Sequence, residues 1–126
     1  MLRTCIVAAG VACALIADGA AAQGETRADR IMAASALAES CAGSEESEVG
    51  RLNQAYCLGA ITGIADAAMT LNIALRGHQT ICLTESDDAE SMRLAYLSFY
   101  RRNADVQVMP AATAVIAMLQ RNYPCS

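Results

Sequence analysis

Few residues in this sequence have side chains suited to chemistry. Cys41, Cys57, Cys82 and Cys125 lie far apart, Asp66 ends the apolar stretch "AYCLGAITGIAD", and the single histidine is His78. Four cysteines can hold zinc, but no pair has close CxxC-type spacing, and His78 sits in "RGHQT", a loop by composition. An even number of cysteines in a small exported chain reads instead as two disulfides. Asp66 as a catalytic carboxylate would need a second carboxylate, a nucleophile with its base, or a metal cluster beside it, and none can be placed there. The expected chemistry is therefore covalent stapling. No catalytic, metal-binding or cofactor-binding residue is assigned, and the chain does not read as an enzyme.

Export is read from the N-terminus. "MLRTCIVAAGVACALIADGAAAQG" has a basic residue at Arg3, an apolar run from Cys5 to Ala17 and a small-residue box at Ala20, Ala21 and Ala22, the order of a cleavable signal peptide. The apolar run is shorter than the roughly 20 residues a membrane span needs. A retained N-terminal helix would not usually finish on such a box, and Gly10 is a poor residue three positions before a lipidated Cys13. Cleavage after Ala22 removes Cys5 and Cys13 and leaves residues 23–126, roughly 100 residues, enough for one domain in the periplasm. The formal net charge is −4, and all nine basic residues are arginine without a basic cluster. Nothing here suits nucleic acid or an anionic membrane, so the expected partner is a protein.

The elements that must position these residues are helical. "RADRIMAASALAES", Arg27 to Ser40, reads as a first helix. In "CAGSEESEVG", Ser44 or Ser47 can cap a second, with Glu45, Glu46 and Glu48 near its positive end. The second helix is expected from about Val49 to about Leu75, ended by Gly77. It is apolar enough to suggest a membrane span, but Asp66 near its middle would cost roughly 2.5 to 3.5 kcal/mol there, so a buried core helix is expected. Thr84 and Asp87 form a capping-box pattern for a third helix, on which Ala89, Met92, Tyr96 and Phe99 make an apolar stripe. Pro110 suits the first turn of a fourth, with Met109, Ala112, Val115, Ile116 and Leu119 buried and Pro124 marking its end. The fold class expected is all-α, a small four-helix bundle stapled by two disulfides.

On the second helix Gly59 and Gly63 lie one turn apart on one face, close to Ala55, Ala60 and Ala67. Two glycines each cost about 1 kcal/mol relative to alanine, so close helix packing, within the bundle or across a dimer, is expected to offset them. Asp66 lies on the same side and, if buried, needs hydrogen-bond donors or an arginine, Arg93, Arg101 and Arg102 being the candidates.

Tyr56-Cys57-x-Gly59-x-x-x-Gly63-x-x-Asp66, Cys82-Leu83-Thr84, Pro110-Ala111 and the closing Tyr123-Pro124-Cys125 resemble the Rap1a/Tai family of type VI secretion immunity proteins, over roughly Cys41 to the end. Thr84 stands where that family commonly has proline, and Asn103-Ala104 where it has a His-Pro-like turn, so the resemblance is to a divergent member. It implies a small exported helical protein that binds and blocks a peptidoglycan amidase toxin in the periplasm, some members being homodimers. The shared glycines and cysteines belong to the scaffold, and no toxin-binding residue carries over. An alternative role for such a fold is a chaperone-like or envelope-stress protein without a toxin. The acidic segments "GSEESE" and "TESDDAE" are the exposed loops suited to enter an enzyme cleft.

An up-down path of four helices brings Cys41 and Cys57 to one end and Cys82 and Cys125 to the other, which predicts those pairs. If the second helix began as early as Glu45, Cys57 would lie about 18 Å further along, too far for an easy bridge to Cys41.

Overall fold

The computed structural model describes residues 31–126. The expected signal peptide, its cleavage site, Cys5, Cys13 and the beginning of the helix expected from Arg27 lie outside the described residues. Within them, four α-helices follow one another: α1 (Ala34–Cys41), α2 (Glu48–Arg76), α3 (Ala89–Arg102) and α4 (Ala111–Asn122), with a 3-10 helix at Ala104–Val108 before α4.

Local chemistry sets most of the boundaries. Ser47 caps α2 by accepting from the Gly50 amide, and Gly77 ends it in the left-handed conformation at φ 70°, which glycine adopts without a Cβ clash. Residues 31–33 are not helical. There Ala33 forms an isolated antiparallel bridge with Pro110, the Ala34 amide donates to the Met109 carbonyl at 2.9 Å, and the Ala111 amide donates to the Met32 carbonyl at 2.8 Å. The first helix therefore starts later than the alanine-rich pattern predicts. Its entry strand is occupied by tertiary hydrogen bonds.

The start expected for α3, with Thr84 as its cap, is corrected: the helix is capped four residues later. Asp88 is the cap and accepts from the Ser91 amide at 2.7 Å. Thr84 and Asp87 close a separate turn just upstream, with the Thr84 amide and hydroxyl both donating to Asp87 Oδ2 at 2.7 Å. The Thr84 and Asp87 pair does bond as a capping box would, but it closes a turn that ends before the helix, and Asp88 supplies the cap.

The core joins Ala34, Leu37, Ala38 and Cys41 of α1 to Cys57, Ile61, Ala65 and Ala68 of α2, Met92, Tyr96 and Leu97 of α3, and Ala111, Ala114, Val115, Met118 and Leu119 of α4. Ala112, expected inside, is exposed, and Met109 lies before α4. Tyr96 is fully buried, and its hydroxyl donates to the Ala34 carbonyl at 2.9 Å. Tyr96 thereby ties the start of α1 to the middle of α3 with no polar atom left unsatisfied at that point.

The expectation that α2 is a buried core helix is corrected. It contacts each of the other helices but buries only the narrow stripe Gly50, Gln54, Cys57, Ile61, Ala65 and Ala68. At 1.5 Å per residue its 29 residues extend about 44 Å, against about 20 Å for α3. The shorter helices do not cover its length. Beyond Ala68 it buries no residue, and Leu71, Ile73 and Leu75 are exposed.

Disulfides join Cys41 to Cys57 and Cys82 to Cys125, with Cα–Cα distances of 5.0 and 4.9 Å. The second is flanked by backbone pairing: Ile81 bridges Pro124, and the Cys82 amide donates to the Tyr123 carbonyl at 2.9 Å. Pro124 thus sits in a short bridge that closes the C-terminus onto the segment before α3.

Candidate functional site

The first disulfide depends on a close backbone approach. The chain leaves α1 at Cys41, turns, and enters α2 at Glu48, so Cys57 lies about 14 Å along α2. Cys41 can stand level with it only if the connection folds back against α2. It does so at two glycines. A Cβ on Gly43 would stand 2.6 Å from the Gly50 carbonyl oxygen, and one on Gly50 would collide with the Ser44 backbone. At both positions a side chain would have to displace backbone.

Gly59 and Gly63 are different, and here the structure corrects the sequence reading. A Cβ at either would meet nothing within 4 Å. Their strip faces outward, so packing within the bundle does not account for them. Tyr56 and Asp66 are exposed on the same helix, and Asp66 is not a buried polar anchor. With Val49, Leu52 and Tyr56, at 68%, 64% and 55% exposure, the two glycines continue one helical stripe at spacings of three and four. The Tyr56 hydroxyl reaches the Met32 sulfur at 3.8 Å.

Arg93, considered as a partner for Asp66, is engaged elsewhere. Its Nε and Nη2 bind both carboxylate oxygens of Glu90, at 2.8 and 2.5 Å, and its Nη1 donates to the Cys41 carbonyl at 2.5 Å. The guanidinium therefore closes the C-terminal end of α1, whose last carbonyls have no helical partner. The hydrogen bond to Arg93 holds the Glu90 carboxyl below its usual range. Glu90, joined by Glu45, keeps the guanidinium firmly charged. The Asp87 carboxyl is likewise held low by its bonds from Thr84.

Arg93 links the start of α3 to the end of α1. Glu45, Glu46 and Glu48 surround the start of α2, Glu85, Asp87, Asp88 and Glu90 surround the start of α3, and Arg93 stands between Glu90 and the end of α1 beside Glu45. The first loop is held by the Glu46 amide to Ser44 Oγ at 3.2 Å and by Arg51 Nη1 to the Glu45 carbonyl at 3.1 Å. Its carboxylates are exposed. The first loop is thus an acidic rim on a braced frame, suited to meeting donors and cations on another protein. Arg93 as its keystone was missed from sequence, although the three-residue spacing of Glu90 and Arg93 was the available signal.

Residues 33–125 match the family described as Rap1a immunity proteins. The chain belongs to that family. The match begins at Ala33, so it includes α1 as well as the motifs from Cys41 onward. No curated protein and no solved structure matches the chain. Immunity proteins work by binding a toxin, so a toxin is the partner that membership implies.

Proposed function

We propose that the chain is exported to the periplasm, loses residues 1–22, and there binds and inhibits a peptidoglycan amidase delivered by a type VI secretion system. Family membership carries the reading, and the acidic rim supports it. An inhibitor must place a segment in or over the enzyme's cleft without losing much conformational entropy, and a loop held by a disulfide, a cap and two arginines meets that requirement. The protein acts by occlusion, without cofactor or metal. Glu45, Glu46 and Glu48 are the residues assigned to the contact. A homodimer across Gly59 and Gly63 fits the open stripe of α2, and sedimentation of the wild type against Gly63→Leu tests it.

Protection should depend on export. Cells that export the protein should survive periplasmic expression of a type VI secretion amidase that it inhibits in vitro, whereas cells making residues 23–126 in the cytoplasm should lyse. Equal survival of both would overturn the reading.

A further inference from the structure

A groove of about 320 Å³ lies between α3 and the last turn of α4. Ala95, Ser98, Phe99 and Arg102 recur at helical spacing along one wall, and Asn103, Arg121 and Asn122 complete it. In a chain of net charge −4, two guanidinium groups border one cavity. Neither forms an ion pair among the described residues. Arginines in the last turn of a helix also complement its dipole, but that accounts for their charge and not for the cavity between them.

The lining is rich in donors. Each guanidinium offers five N–H groups in a planar fork that matches a carboxylate in two-point fashion. Asn103 Nδ2 donates to the Phe99 carbonyl at 2.7 Å, which fixes that end of the wall. The half-buried Phe99 and Ala95 give an apolar flank for the carbon skeleton attached to the anion, which inorganic phosphate lacks. We propose that this groove binds a carboxylate carried on a polypeptide, either an acidic side chain or a C-terminus, with Arg102 and Arg121 gripping the anion. The site shares no residue with the acidic rim and does not rest on the inhibitory function.

Nuclear magnetic resonance titration of the ¹⁵N-labelled protein tests it with four probes: Ac-Ala-Glu-NH2, Ac-Ala-Phe with a free C-terminus, Ac-Ala-Gln-NH2 and inorganic phosphate. At least one carboxylate peptide should saturably shift the Arg102 and Arg121 side-chain N–H signals and the Asn122 amide. Its preference between the two identifies the source of the carboxylate. The neutral peptide should bind about tenfold more weakly. Arg102→Gln with Arg121→Gln should abolish the shifts, and Arg76→Gln should leave them intact. If the double variant does not fold, each single variant should weaken binding by about threefold or more. Equal binding of the neutral peptide, phosphate binding as tight as the carboxylates, or shifts shared equally by Arg51 and Arg76 would overturn the assignment.

Discussion

At the scale of single residues, the glycines separate into two kinds that sequence alone does not distinguish. Gly50→Ala must push its methyl into the Ser44 backbone and should destabilise by about 1 to 3 kcal/mol. Gly63→Ala meets open space and should stabilise the monomer by up to about 1 kcal/mol through helix propensity. Chemical denaturation of both variants checks the pair of signs. A glycine pattern was visible in the sequence, but its neighbours were not: the Gly43 and Gly50 approach is made by a loop folding back, which no periodicity encodes. Ionisable residues give two further expectations. The Glu90 carboxyl titrates below its ordinary value of 4.5 because Arg93 binds it, so its contribution is present above that pH and is lost as pH falls through the lower folded value. Glu90→Gln should flatten the acid side of a melting-temperature profile. Burial pushes the Tyr96 hydroxyl up to about 12. Its contribution is complete below pH 10 and is lost as pH rises from there through about 12, which alkaline unfolding followed by tyrosinate absorbance should register.

At the scale of elements, caps and covering explain what was legible. The end of α2 at Gly77 and the break at Pro124 were readable because glycine and proline act through their own backbones. The start of α3 was misplaced because Thr84 and Asp87 have the spacing of a capping box yet close a separate turn before Asp88. Asp88→Ala removes the bond to the Ser91 amide and should cost about 1 kcal/mol, while Thr84→Ala should reduce helix content little. Circular dichroism with thermal melts compares them. The exposure of α2 was not readable because an apolar stripe does not say whether a partner helix is long enough to cover it. Nor did the alanines before Ala34 reveal the bridge to Pro110, which forms between segments distant in sequence.

At the scale of the whole molecule, the two staples have different work. Cys41–Cys57 spans 16 residues and braces the acidic loop, while Cys82–Cys125 spans 43 and fastens the C-terminus. Replacing Cys82 and Cys125 together by serine should lower stability by about 4 kcal/mol in the chain-entropy account, measurable by urea unfolding. The all-helical bundle and its cysteine framework could be inferred from composition, periodicity and an up-down path. The acidic rim could be read as a loop, but not its bracing, since Arg93 reaches the end of α1 from a helix distant in sequence. The direct measurement of inhibition by that rim is hydrolysis of purified peptidoglycan by type VI secretion amidases, titrated with residues 23–126 and with the variant carrying Glu45→Gln, Glu46→Gln and Glu48→Gln. The native sequence should abolish hydrolysis stoichiometrically and the variant should inhibit about tenfold or more weakly, since several charge-assisted contacts are removed. Full hydrolysis at saturating native protein, or a variant that inhibits equally well, would contradict inhibition by the rim.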